Sequence, residues 1–469
     1  MVNFFRRNEL KYSFVVENQV KQSLMLVVKK VFFLILLIGL FFFGEIAITF
    51  SDKGYPSLLQ DEEVPFSLLL DNRLSDHDET AVIDDMVSKF IRRWRIEGAS
   101  VAITRDEKLV YAKGFGKANN ETGEEVKPGH LFRIASVSKL ITAVAVMKLH
   151  EEGKLDLDEQ VFGADGILSD SVFREYKDKR IEEITIRHLL NHTAGWSRYS
   201  GDPVFNSLYI ARKMDIVPPA DFEDILRYTL SRRLNYTPGT RYSYSNFGYA
   251  ILGEIIARKS GMPYQDYVVM NLMKPLDIHD MHVGKSYYHQ KYPNEVRYHS
   301  SAGKMLAYSI DGSGELVPIY YGGNNIELLG PAGGWVASAP ELIKFLTAID
   351  GFSGQPDILS GESVTMMADP DSAGRGLFGW RGTDSYGTWW RTGYLTGSSA
   401  LLVRQKNGIN WLVMFNTSTY KHSNIHRYVS GMMFSAVNRV ESWPEIDLFT
   451  MELDSPNPIS EIPATNPKL

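Results

Sequence analysis

Ser136-Val137-Ser138-Lys139 sets a hydroxyl and an amine three residues apart. On a helix such positions share one face, so the Lys139 amine can reach the Ser136 hydroxyl. The spacing alone is weak, because Ser301…Lys304 and Ser418…Lys421 repeat it. Context separates them. Ser301 falls in a Ser/Gly-rich loop and Ser418 in a polar link, whereas Ser136 opens the strongest helical pattern in the chain. An ordinary lysine is neutral in only about one copy in 2,500 at pH 7. Burial, together with the positive end of a helix dipole, would lower its pKa and make the amine a usable base. The plainer reading is that Ser136 only caps the helix.

Two further elements carry complementary chemistry. Tyr244-Ser245-Asn246 lies in the turn-rich stretch Pro238–Gly248, just before another helical pattern. A tyrosine beside a cationic lysine sheds its proton more easily, and an asparagine amide can orient an acyl substrate. Tyr292-Pro293-Asn294 has the same form and serves as a decoy. Arg391-Thr392-Gly393 follows Trp389-Trp390 on a strand-like segment. There a cation and a hydroxyl could bind a substrate carboxylate, while the glycine admits a close backbone approach. A plain ion pair at Arg391 is the alternative.

Other chemistries have less to stand on. Without cysteine there is no disulfide, thiolate zinc site or cysteine nucleophile. Gly98-Ala-Ser-Val-Ala102 only approaches a nucleophile elbow and reads as a strand. His188 and His192 are four apart but lack the glutamate of a zinc-protease helix, and His279/His282 and His422/His426 read as surface residues. No phosphate loop or dinucleotide fingerprint occurs. Neither a metal nor a cofactor is expected.

The ordered set Ser136…Lys139, Tyr244…Asn246, Arg391-Thr392-Gly393 resembles the serine β-lactamase and penicillin-binding-protein superfamily. It is most similar to the branch of class C β-lactamases, D-alanyl-D-alanine carboxypeptidases and related esterases. Ile184–Gly195, Pro238-Gly239 and Gly333-Gly334-Trp335 also resemble that branch. The similarity covers roughly residues 80–440. It implies that Ser136 is the acylated nucleophile and that Lys139 and Tyr244 share the proton work. It also implies that Asn246 holds the substrate amide and that the N–H groups of Ser136 and Tyr394 form an oxyanion hole. Arg391 departs from the family's usual lysine or histidine and cannot exchange protons near neutral pH. The implied substrates are small peptides, β-lactams or esters. D-amino-acid peptides or β-lactam-like compounds lead, with small-ester hydrolysis and a non-turnover penicillin-binding sensor as alternatives.

These residues need a scaffold. Ile83, Met86, Val87, Phe90, Ile91 and Trp94 recur at helical spacing before Gly98, which is expected to stop that helix. Ala99–Thr104 and Lys108–Lys113 read as a hairpin, as do Ser399–Arg404 and Ile409–Phe415 around Asn407-Gly408. Ser136–Glu152 and Asn424–Val437 are expected helices, with further helical patterns across roughly 155–275. The order predicts one α+β unit whose sheet is built from both ends of the chain, with an inserted helical lobe. The resemblance implies a β-lactamase/transpeptidase-like fold, a central antiparallel sheet flanked by helices. Seven of the 24 tyrosines fall within 284–321, where they could either cover an acyl pocket or simply pack.

The 469 residues are 44% hydrophobic and 23% charged, ordinary for a folded enzyme. A net charge of −6 gives no footprint for nucleic acid. Residues 1–30 hold six basic side chains against Glu9 and Glu17, and form an expected cytoplasmic segment. Val31–Phe50 comes next, with Glu45 its only charge. Twenty helical residues span about 30 Å, one hydrocarbon core. Basic residues ahead of the span favour export of the chain on its carboxyl side. The expectation is a single-pass membrane anchor with an extracytoplasmic hydrolase, periplasmic if the source is a Gram-negative bacterium. A cleaved signal or a buried soluble helix are the alternatives. Residues 51–79 read as a linker, 80–440 as the hydrolase domain and 441–469, with five prolines, as a loosely ordered tail.

Overall fold

The computed structural model describes residues 64–303, 305–369 and 377–451. The expected anchor at 31–50, most of the expected linker and the end of the tail lie outside these residues. Among the described residues no helix is long and apolar enough to cross a membrane.

Helix α1 (Ala81–Trp94) buries Ile83, Val87, Phe90, Ile91 and Trp94, the stripe anticipated from their spacing. It ends earlier than expected. Arg95 adopts a left-handed conformation (φ 54°) and its N–H bonds back to the helix, so Gly98 is not the stop. Gly98 instead opens strand β1 (Gly98–Arg105), where a Cβ would stand 2.4 Å from the Lys117 carbonyl oxygen. Strand β2 (Lys108–Asn119) pairs back antiparallel. Asp106 and Glu107 between them both take positive φ, as a two-residue turn matched to strand twist requires.

Glu124–Glu125 forms β3. Near the carboxyl end come β4 (Gly382–Thr383), β5 (Trp389–Leu395), β6 (Ser398–Arg404) and β7 (Ile409–Phe415). The sheet runs β4-β5-β6-β7-β1-β2-β3, and every pairing in it is antiparallel. Val101 opposes Val413, so β1 and β7 join the two ends of the domain at the sheet centre. A parallel pairing occurs apart from it, between His299–Ser300 and Thr417–Ser418.

Both faces of the sheet are buried, and residues of β1, β6 and β7 alternate between them. Val101, Ile103, Leu401, Val403, Trp411 and Val413 face α1 and the last helix. Ala102, Leu402, Leu412 and Met414 face the larger core with the helical lobe. The remaining labelled helices are α2 (Ser138–Glu151), α3 (Asn246–Ser260), α4 (Ala339–Thr347) and α5 (Ile425–Val437). Helix α2 is buried from Ser138 through Met147, as expected of a helix without a polar face. A small antiparallel sheet places Trp335–Ala337 between Phe132–Arg133 and Met281–Val283, just ahead of Ser136.

Two segments depart from their expected looseness. Within 64–78, Asn72 Nδ2 donates to the Val126 carbonyl (3.0 Å), its Oδ1 accepts from Gly114 N–H (2.8 Å), and Ser75 Oγ bridges the backbone of Ala112. In 441–451, Asp447 accepts from Leu109 N–H (3.1 Å), and Leu448 N–H returns a bond to the Leu109 carbonyl (2.9 Å). Both cover the outer edge of β2, whose unpaired backbone groups would otherwise invite another chain.

Candidate active site

Ser136 stands in a 3₁₀ turn, Ala135–Val137, one step before α2 rather than in its first turn. Ala135 holds φ 48°, a costly conformation for a residue with a Cβ, immediately before the serine. The capping alternative fails. The cap position is Val137, and Ser136 Oγ points instead at Tyr244 OH (2.8 Å) and Lys139 Nζ (3.4 Å).

Lys139 is 0% exposed. Its Nζ donates to Asn246 Oδ1 (2.6 Å), to the Ala332 carbonyl in the turn before Gly333-Gly334, and toward Ser136. Burial is the main cause that brings its pKa down to about 8, against the opposing pull of Tyr244 and with help from the Arg391 charge. Burial would raise Tyr244, yet the charges of Lys139 and Arg391 outweigh it and bring this phenol to about 8 as well. The two titrate as one coupled pair.

The loop carrying Tyr244 is fixed by the Ile184–Gly195 stretch. His192 accepts from Ser245 N–H (3.3 Å), its carbonyl accepts from Ser243 N–H (2.8 Å), and Gly239 N–H reaches the Thr193 carbonyl (2.9 Å). The His192 ring lies 4.5 Å from that of Tyr244. Burial first, and then the nearby Lys139 charge, hold His192 well below its ordinary pKa, so it is a neutral wall of the site. His188 forms a capping box with Thr185, so the two histidines do not converge on a common point. Ser245 caps α3 by accepting from Gly248 N–H, which sets Asn246 at the helix start.

Sequence reasoning missed Asp202. Its Oδ2 accepts from both the backbone N–H (2.6 Å) and the Nδ2 (3.1 Å) of Asn246. That fixes the amide so that Oδ1 faces Lys139. Burial raises the Asp202 pKa. Nothing in the local Gly201-Asp202-Pro203 sequence signals this, because the partner is 44 residues away.

Arg391 reaches the cluster, but not as expected. It is 1% exposed, and Nε donates to the Ser136 carbonyl (2.7 Å), Nη2 to Tyr244 OH (3.2 Å) and Nη1 to the Trp380 carbonyl (3.4 Å). Its charge is therefore spent on the Ser136–Tyr244 pair. Thr392 points to the opposite face, as alternation on a strand demands. It lines a cavity of about 340 Å³ with Trp390, Val403 and His426. The pair does not form one carboxylate clamp. Gly393 is needed because a Cβ would stand 2.1 Å from the Ile134 carbonyl oxygen, so the close approach comes from the protein's own backbone. Tyr394 OH meets His422 Nδ1 (3.0 Å) on the α5 side. His426, read as a surface residue, is 9% exposed and bonded beneath β5.

The decoys stay apart. Ser301 Oγ bonds the Ser418 carbonyl, and Lys421 lies over the ring of Tyr420. Asn294 braces Gly129 and Asp280. Among the clustered tyrosines, Tyr298 and Tyr321 are packing residues around the buried Arg133, whose guanidinium holds the Lys285 and Tyr320 carbonyls.

This geometry agrees with kinship. A β-lactamase family profile matches residues 83–429. The chain belongs to the β-lactamase family. It is a serine hydrolase of the wider β-lactamase and penicillin-binding-protein superfamily. It is similar to esterase EstB of Burkholderia gladioli (27% identity, covering 67% of this chain and 79% of the esterase). It is also similar to Protein flp of Staphylococcus aureus (29%, covering 43% of this chain), of whose length it spans 37%. Among solved structures, it resembles the octameric penicillin-binding protein homologue from Pyrococcus abyssi (25% identity, TM-score 0.56, 76% and 78% of the two chains). It shares its fold with the D-amino acid amidase from Ochrobactrum anthropi SV3 (22%, TM-score 0.60, 78% and 100%).

Proposed function

We propose that this family member hydrolyses small esters and amides through an acyl-enzyme on Ser136, without requiring a substrate carboxylate. Ser136 Oγ attacks the acyl carbon while its proton passes to the Tyr244–Lys139 pair. The oxyanion rests on the N–H groups of Ser136 and Tyr394, one such donor being worth about 2.7–4 kcal/mol of barrier. The C–O or C–N bond then breaks, the leaving group takes the proton, and water releases the acid. Asn246, steered by Asp202, keeps one amide hydrogen to offer the substrate carbonyl.

The orientation of Arg391 carries the choice of substrate. A guanidinium already bonded to the Ser136 carbonyl and Tyr244 OH offers a substrate carboxylate little, which weakens the D-alanyl-D-alanine or β-lactam expectation. The similarity to an esterase and to a D-amino acid amidase supports ester and amide bonds. Multiple turnovers separate this reading from a penicillin-binding sensor. The anchor at 31–50 is retained as part of the proposal, with the hydrolase outside the cytoplasm.

The test offers the full chain a short-chain p-nitrophenyl ester, a D-amino acid amide and a D-alanyl-D-alanine peptide. Steady-state turnover of the ester and amide, with no advantage for the free carboxylate, is expected. Cleavage of the peptide alone would overturn the substrate reading, and a single burst without turnover would favour the sensor.

A further inference from the structure

Behind β5 lies a contact that the acyl chemistry does not use. His426, in the first turn of α5, brings Nε2 to 3.0 Å from the Gly393 carbonyl oxygen and 3.0 Å from Ser399 Oγ. The ring is held in place by its helix, which buries Ile425, Val429 and Met433 against the sheet. A carbonyl only accepts, so Nε2 carries the hydrogen. Burial keeps His426 below its ordinary pKa, against the pull of the surrounding carbonyls, and the ring is neutral in this tautomer.

The Gly393 carbonyl and the Tyr394 N–H belong to one peptide unit. That unit is planar and trans, so the two groups point in opposite directions. Gly393 is pressed against the turn that carries Ser136, with Ile134 O and Ala135 Cβ 2.1 and 3.2 Å from where its own Cβ would be. Pairing with β4 stops at Trp390, short of this unit, while on the other edge β6 runs alongside it, with Gly393 opposite Ala400 and Tyr394 opposite Ser399. A bond to the carbonyl from the α5 side, added to the pairing with β6, therefore sets the direction of the N–H on the other side.

We propose that His426 is a positioning residue for the oxyanion hole: by holding the Gly393 carbonyl it aims the Tyr394 N–H at the oxyanion formed on Ser136. This rests on the proposed roles of Ser136 and Tyr394 in acyl transfer. Removing an oxyanion donor outright costs about 10²–10³ in kcat, and loosening one should cost less, about ten- to hundredfold.

The test compares His426→Met, which has no donor, with His426→Gln, whose amide reaches the place of Nε2. Each is assayed on a p-nitrophenyl ester and on the matching thionoester, whose sulfur is a poor acceptor in an oxyanion hole. The expected result is a lower kcat in His426→Met with KM little changed, a smaller oxygen-to-sulfur preference, and recovery of both in His426→Gln. Should His426→Met fail to fold, His426→Asn, which reaches only the place of Nδ1, replaces it in the same comparison. An unchanged oxygen-to-sulfur preference in the donor-less variant would overturn the inference. So would equal losses in the Gln and Met variants alongside lowered melting temperatures. Failure of the underlying reading looks different: wild type would not be acylated at Ser136 at all.

Discussion

The two edges of the main sheet are treated in opposite ways. Along β2, Asn72, Ser75, Asp447 and Leu448 supply partners to the backbone of Leu109, Ala112 and Gly114. Along β5, the short β4 pairs only with Trp389 and Trp390, and pairing on that side ends before Arg391-Thr392-Gly393-Tyr394. The first edge is sealed for stability. The second is left to the candidate active site, where Arg391 points inward and His426 bonds the Gly393 carbonyl from behind. A sheet can carry chemistry at one margin because the other asks nothing of solvent or of other chains.

After loss of Ser136 itself, the largest effect should come from Tyr244→Phe, which removes the group nearest Ser136 Oγ. A drop in kcat of about 10²–10⁴ is expected from loss of a positioned base. In the proposed mechanism, the active form of the wild type has a Tyr244–Lys139 pair that has lost a proton. The rate should therefore rise with pH through about 8 and level off above it. A flat profile from pH 6 to 10 would show that this pair is not the base.

Arg391→Met is next. Since its guanidinium serves Tyr244 and Ser136, an ester and a carboxylate-bearing peptide should lose rate by the same factor. A charge-assisted bond of about 1.5–3 kcal/mol corresponds to roughly ten- to 150-fold. The pH midpoint should also move upward, because a positive charge beside the phenol is gone. Selective loss of the peptide would restore the carboxylate role read from the sequence.

Asn72→Ala should leave kcat unchanged while lowering stability. It deletes two bonds on the sealed edge and leaves Gly114 N–H seeking a partner, a cost of about 1–3 kcal/mol measurable by urea unfolding. A change in kcat without loss of stability would break the division between the two edges.

Much of the architecture is legible in the sequence because it depends on local periodicity. The stripe of α1, the paired strands around Asp106-Glu107 and Asn407-Gly408, and α5 all come from apolar spacing and turn residues. Ser136, Lys139, Tyr244 and Asn246 are legible as types at spacings, and the fold brings them together. The features that escape depend on direction or on distant partners. Alternation along β5 decides where Arg391 and Thr392 point, and only the fold says which face is which. Asp202 and His426 each act through polar contacts to residues tens of positions away. The 64–78 stretch packs Phe66, Leu70 and Leu74 on the core, but it does so through four-residue turns and through polar side chains such as Asn72 and Ser75, so no sustained period reveals it.

The central claim is that acyl transfer passes through Ser136, and labelling tests it most directly. Wild-type protein treated with a fluorophosphonate should gain one adduct by intact mass, located to the peptide containing Ser136, and hydrolysis should stop in step with it. Ser136→Ala should gain none and hydrolyse no ester. An adduct on another residue, or equal labelling of the variant, would contradict the account.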